Sequence, residues 1–280
     1  MRSRTTSVVG LAAAAVLLAG CGGDPDRPSP GEPPPPRPTL SSDVPGLIWT
    51  GNLETGDLSQ FQDTPWNVHG GAEEPELVTE PVREGRYALA VTIPGESTGE
   101  GITGDSRSEV QPDIDFIKEG EELYFGLSVM LGENYPVDQE WQTLTQWKNE
   151  GEGSPPVELS AQEGSWNLAG GAGHPDDVEP FIRELAPLET GTWVDWVVRI
   201  VFSTDPEVGE VEVWMDGERV LGPFKPESGT MYPTYEDDEQ PASYLKAGYY
   251  RAADIGEPGT VYYDALRVGT SAEAVRSPAD

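Results

Sequence analysis

Beyond residue 44, apolar and polar residues alternate one by one in short runs that Gly and Pro repeatedly cut. Tyr87 to Ile93 alternates over its whole length before Pro94-Gly95 stops it. That period of two places successive side chains on opposite faces of a pleated strand. Leu47 to Trp49, Leu123 to Met130, Trp141 to Lys148, Val157 to Ser160, Ser165 to Leu168, Trp193 to Phe202 and Val261 to Val268 read the same way. Between Val211 and Val220 the alternation is broken by Asp216-Gly217, a dipeptide suited to a tight hairpin turn. No segment keeps a helical period beyond a turn or two, and Pro112 to Lys118 is at best a short helix. The pattern predicts an all-β sandwich or barrel. Two stretches, Gly170 to Leu188 and Gly222 to Ala242, carry no strand signal and are expected as long functional loops.

The N-terminus follows a different rule. Arg2 and Arg4 precede the apolar run Leu11 to Leu18, which closes on Leu18-Ala19-Gly20-Cys21. The run is too short to span a bilayer, and small residues before a cysteine match a bacterial lipoprotein signal with cleavage and lipid attachment at Cys21. This predicts a leader over residues 1–20, a Pro-rich tether over 21–43, a single domain over 44–271 and a tail over 272–280. The tether, with the run Pro33 to Pro36, has too little apolar surface to fold. Cys21 is the only cysteine, so no intramolecular disulfide can form. The expected location is the cell envelope, anchored to the membrane and facing the extracytoplasmic side.

Charge narrows the partners. The chain carries 50 acidic and 17 basic residues, a formal net charge of −33, and two of those cations lie in the leader. Nucleic acid and anionic lipid surfaces are poor partners for such a domain. The carboxylates are scattered rather than blocked, as on a solvating surface. No EF-hand loop or His/Cys cluster is present, so no metal or cofactor is expected, with a structural calcium left open. A monomer is expected.

Against this acidic background three stretches set a cation beside hydrogen-bonding groups. In Arg107-Ser108-Glu109-Val110, alternation puts Asp105, Arg107 and Glu109 on one face. In Gln146-Trp147-Lys148 the two polar residues share a face and Trp147 turns to the other. In Tyr244 to Arg251, Tyr244, Lys246 and Tyr250 face one way, while Leu245, Ala247 and Tyr249 face a core. If the three strands are neighbours, Arg107, Gln146, Lys148, Lys246 and Tyr250 converge on a groove.

These stretches resemble those of the jelly-roll polysaccharide lyases. Alginate lyases of that group carry Arg-(Ser/Thr)-Glu-Leu-Arg, Gln-x-His and Tyr-Phe-Lys-Ala-Gly-x-Tyr on adjacent strands. Here they read Arg107-Ser108-Glu109-Val110-Gln111, Gln146-Trp147-Lys148 and Tyr244-Leu245-Lys246-Ala247-Gly248-Tyr249-Tyr250. Tyr135-Pro136, Trp193, Trp196 and Val213 to Gly217 are more similar to the heparin lyase I and glucuronan lyase branch. The resemblance implies a concanavalin-like β-jelly-roll sandwich of two antiparallel sheets, and β-elimination on a uronic-acid polysaccharide. By the same resemblance Gln146 and Arg107 hold the uronate carboxylate, Tyr250 transfers the protons, and Lys246, Glu109, Tyr244 and Arg251 contact substrate or tune the phenol. A phenol of ordinary pKa ~10 needs nearby cations to act as a base near neutrality; Arg107, Lys148, Lys246 and Arg251 are the candidates.

Lys148 departs from the pattern, standing where the family has histidine. It can neutralise a carboxylate, and can act as a base only if burial lowers its pKa. His69, in Asn67-Val68-His69-Gly70-Gly71, has two readings: a surface-loop residue, or the missing base at the groove. His174 falls in the loop beginning at Gly170. Trp66, Trp147 and Trp214 read equally as sugar platforms or packing residues. The rival function is a carbohydrate-binding sandwich that docks glycans without cutting them. A hydrolase would need paired carboxylates, and no closely spaced Glu-x-Asp-x-x-Glu stretch is found.

Overall fold

The computed structural model describes residues 43–62, 67–99, 104–150, 153–176, 178–234 and 240–277. The leader, Cys21, the tether through residue 42 and Trp66 lie outside these residues. The strands are β1 (Leu47–Gly51), β2 (Asn67–His69), β3 (Glu76–Val78), β4 (Ala88–Ile93), β5 (Ser106–Val110), β6 (Ile117–Lys118), β7 (Glu122–Leu131) and β8 (Gln142–Asn149). They continue as β9 (Val157–Gln162), β10 (Ser165–Gly170), β11 (Phe181–Pro187), β12 (Trp193–Val201), β13 (Glu210–Met215), β14 (Glu218–Phe224), β15 (Ala242–Arg251) and β16 (Gly259–Gly269), followed by a helical turn, α1 (Ala272–Val275).

They form two eight-stranded sheets. The first runs β14-β13-β12-β7-β16-β4-β3 with β1 also on β16, and the second runs β11-β10-β9-β8-β15-β5-β2 with β6 also on β15. Every ladder is antiparallel. This is the sandwich that the alternation predicts and the jelly roll that the resemblance implies. The long strands β16 and β15 each take two partners in succession along one edge: β4 then β1 on β16, and β6 then β5 on β15.

Inward-facing residues of both sheets make the core. Phe125 of β7 meets Trp147 of β8 with ring centroids 5.2 Å apart, and Trp196 of β12 meets Trp166 of β10 at the same separation. Trp147 is fully buried, so it is a packing residue and not a sugar platform. Trp214 sits instead in a small cluster with Val197, Tyr124 and Val275. Tyr263 of β16 reaches across the sandwich, its hydroxyl 2.6 Å from the Leu144 carbonyl and 2.7 Å from that of Gly248. Burial pushes that phenol's pKa far up, so it stays a neutral donor. A side chain of the first sheet thereby ties β8 to β15 in the second.

Three expectations are corrected. The stretch Gly170 to Leu188 is not all loop, because β11 pairs with β10 along its length; as an edge strand it buries little, and Ile182, Arg183 and Glu184 are exposed. Pro112 to Lys118 forms no helix, and Ile117–Lys118 pairs with Ala242 and Ser243. The tail does not begin at 272: Ser271 caps α1, and Ala274 and Val275 are fully buried. Gly126 of β7 permits this contact, since a Cβ there would collide with the Val275 carbonyl.

Candidate active site

The outward face of the second sheet carries a cleft of about 770 Å³ that crosses the strands from β2 to β11. Register brings its polar residues together, because directly paired residues in antiparallel strands share a face. Tyr250 pairs with Arg107, Lys246 with Gln146, and Tyr244 with Lys148. Gln146 pairs in turn with Glu158, and Asn67 with Glu109. The three sequence stretches are thus β5, β15 and β8, side by side in the order the convergence required.

Tyr250 is held on three sides. The Arg107 guanidinium lies over its ring with Cζ 3.8 Å from the centroid, a cation–π arrangement. Trp141 meets it edge-on at 4.7 Å, and its hydroxyl donates to Asp105 Oδ2 at 3.3 Å. Trp141 has φ +39, a conformation a bulky residue adopts only when its surroundings hold it there.

Beside this group, Glu109 is a hub. It accepts from Asn67 Nδ2 on one oxygen and from Gln146 Nε2 on the other, and Lys246 Nζ is 3.5 Å from Oε2. The hub is only 2 % exposed, while Asn67, Gln146 and Lys246 line the cleft and Glu109 does not. Glu109, expected from the sequence among the groove residues, is thus covered by Asn67, Gln146 and Lys246, which it holds at the cleft wall.

Burial shifts Lys148, Tyr244 and Glu158. Desolvation, followed by the neighbouring Lys246 charge, lowers the Lys148 pKa to about 8, while its ammonium donates to the Asn149 carbonyl at 2.9 Å. Burial, with the Glu109 charge behind it, pushes Tyr244 up to about 12. Glu158 rises to about 7, chiefly by desolvation and further by Glu109, although Thr143 Oγ1 donates to it at 2.9 Å. Among the described residues lining the cleft, Glu158 is the one carboxyl. No group of three His, Cys, Asp or Glu among the described residues is placed to hold a metal ion.

Arg251 does not reach the cleft. It shares the parity of Leu245, Ala247 and Tyr249, is fully buried, and donates to Tyr249 Oη at 3.2 Å, the Gly95 carbonyl at 2.9 Å and the Ile255 carbonyl at 3.2 Å. It therefore braces the core side of β15. His69 is on β2 rather than in a loop; it pairs with Arg107 and so lies on the groove side, outside the residues that line the cleft. His174 stacks edge-on against Tyr232 at 5.3 Å and is not among the residues that line the cleft. The sequence reading missed Asn67, Trp141, Glu158 and the apolar lining of Pro180, Phe181 and Ile182. Only Glu158 left a trace, as the single acid alternating with Val157 and Leu159 in β9.

A polysaccharide lyase family model matches residues 53–267. Among solved structures, the endo-β-1,4-glucuronan lyase of the fungus Trichoderma reesei is similar with 20% identity and a TM-score of 0.58, over 83% of this chain and 94% of that one. A family 7 alginate lyase in complex with product is similar at 16% identity and TM-score 0.51, over 70% and 83% of the two chains. The catalytic domain of a glycoside hydrolase family 131 protein from Coprinopsis cinerea has 13% identity and TM-score 0.56, over 82% and 97%. At these identities the structural likenesses are likenesses of fold. No curated protein matches the sequence.

Proposed function

The chain belongs to the polysaccharide lyase family, and from that premise we propose that it cleaves a uronic-acid-containing polysaccharide by syn β-elimination, with Tyr250 as both base and acid. The observation that carries the reading is the grouping of Tyr250 under Arg107 with Asn67, Gln146 and Lys246 gathered around Glu109 in one cleft. The proton on C5 of a uronate is weakly acidic, so its neighbouring carboxylate must first be neutralised to accept developing charge. Each side-chain amide has two N–H groups. With one spent on Glu109, Asn67 and Gln146 each keep a second for the substrate carboxylate, alongside the Arg107 and Lys246 charges. Tyr250, as phenolate, takes the C5 proton; the electron pair forms the C4–C5 double bond as the C4–O bond breaks; and the same phenol returns the proton to the departing oxygen. Arg107 over the ring is the cation that would favour the phenolate, against the Asp105 carboxylate that accepts from the Tyr250 hydroxyl.

A hydrolase would place two carboxyls across the scissile bond, and the described cleft lining offers Glu158 alone. This favours elimination over hydrolysis on a fold that both chemistries use. The test is the ultraviolet absorbance of the unsaturated product formed from uronate polymers. Tyr250→Phe is expected to lower kcat by roughly 10²–10⁴-fold with KM little changed. If Tyr250→Phe keeps most activity while Lys148→Ala abolishes it, Lys148 is the base and the assignment fails. Sugar binding without any product would make the chain a carbohydrate-binding sandwich instead. The same proposal has the enzyme held at the envelope by a lipid on Cys21, which labelling with a radioactive fatty acid in wild type and Cys21→Ser would test.

A further inference from the structure

The cleft is chemically divided along its length. Over β5, β15 and β8 its lining carries Arg107, Lys246, Lys148 and the amide of Gln146; over β9, β10 and β11 it carries Ala169, Pro180, Phe181 and Ile182, with Pro155 beside them. Among the described lining residues, no cation stands at this second end. The cation nearest in sequence, Arg183, turns away to lie over Phe224 at 4.7 Å and donates to the Ile182 carbonyl. Glu158 occupies the boundary, opposite Gln146 in register, and is the one carboxyl of the lining. Strands are spaced ~4.8 Å apart, so β11 lies roughly 14 Å from β8. A polymer chain crossing the strands with its reacting uronate over β15 and β8 must lay a sugar on this apolar surface, within about three units of the reacting one.

We propose that this end of the cleft is a subsite for a sugar without a carboxylate, so that the polymer cut is one in which uronate alternates with neutral sugar. The inference rests on the lyase reading and narrows its substrate class. A second uronate here would meet no counter-charge, would lose water against Phe181 and Ile182, and would face Glu158. Placing an unpaired carboxylate in such a site is unfavourable. A neutral pyranose instead lays its C–H face on the apolar wall and gives its hydroxyls to Glu158 and to the backbone. The pKa of Glu158, raised by burial, keeps it largely protonated below about 7, and the groups facing it are Thr143 and Gln146 from β8 and Glu109 from β5. Above that range its charge would penalise an anionic neighbour further. The net charge of −33 acts in the same direction, against a polymer charged at every unit.

The experiment compares kcat/KM on homopolyuronates (glucuronan, alginate) with that on polymers alternating uronate and neutral sugar, at one ionic strength and a pH above 7, where Glu158 is charged, for wild type, Ile182→Lys and Glu158→Gln. Ile182 is 49% exposed, so a lysine there leaves the core intact. Wild type is expected to favour the alternating polymers by about tenfold or more, the equivalent of ~1.4 kcal/mol, and both variants to shift the ratio toward homopolyuronates. Equal or better cutting of homopolyuronates by wild type overturns the inference while leaving the elimination reading intact. Failure to cut any polymer overturns the elimination reading. Calorimetric binding of both oligosaccharide classes to the Tyr250→Phe variant then decides the subsite separately: tighter binding of homouronate than of alternating oligosaccharides, unchanged by Ile182→Lys, counts against it.

Discussion

Lys148 shows how one substitution alters the chemistry open to a site. An ordinary lysine is charged throughout the neutral range, but burial next to Lys246 brings this one to about 8. If it serves as a cation for the substrate carboxylate, that service is complete below 8 and is lost as pH rises through 8. The expected kcat/KM profile therefore has an alkaline limb near 8, and Lys148→Arg, which stays charged, moves the limb upward while keeping activity. A limb that rises through 8 in wild type would instead identify Lys148 as the base. Parity alone made much of this legible: alternation put Tyr244, Lys246 and Tyr250 on the outer face and Leu245, Ala247 and Tyr249 inside. Arg251, one residue beyond the motif, obeys the same parity, which puts it on the core side of β15 and not in the groove where it was expected. Glu109 was placed on the correct face, but its cover by neighbouring side chains was not legible. Nothing in a linear pattern reveals that three neighbours will close over a carboxylate and cover it.

Elements were legible where they were long. β7, β8, β12 and β16 alternate over enough residues to declare themselves, whereas β2, β3 and β6 are two or three residues each, shorter than any period can register. β11 was missed because only one of its edges is paired, so its exposed middle reads as polar loop. On β8 the pairing shifts on both sides near Leu144, between Thr143 and Thr145 toward β9 and opposite the interval from Ala247 to Tyr250 on β15. Gly248 sits within that interval with φ +156, and a Cβ there would collide with the Ser108 carbonyl and lie 2.6 Å from the Glu109 Cα. Gly248→Ala is therefore expected to push β5 away from β15, destabilising the fold by about 1–3 kcal/mol in denaturant titration. Because the same displacement separates Arg107 from Tyr250, kcat should fall by more than the unfolded fraction explains. An alanine variant of full stability and activity would show that the two strands have room to spare.

For the whole molecule, charge is the dominant long-range property. A body with a net charge of −33 repels a polyanion at distance, and attraction begins only inside the cleft. Screening shortens the repulsive reach to ~10 Å at 0.1 M salt, while the partly buried cleft cations are screened less. KM for a uronate polymer is accordingly expected to fall as salt is raised from a few millimolar toward ~0.15 M, with kcat steady. A KM that rises over that range would mean the cleft's positive field outweighs the rest of the surface.

The Tyr263 hydroxyl that joins the Leu144 and Gly248 carbonyls has a bearing on how such an enzyme can change. It pins the strands that carry Gln146, Lys148, Lys246 and Tyr250 from the opposite sheet, whereas β11 forms the margin of their own sheet and neither it nor β10 takes a bond from Tyr263. On the proposed function and subsite, chemistry and choice of polymer are built on separately supported ground. A lineage can rewrite the margin, one exposed side chain at a time, and acquire a new polysaccharide while the elimination machinery stays where it is.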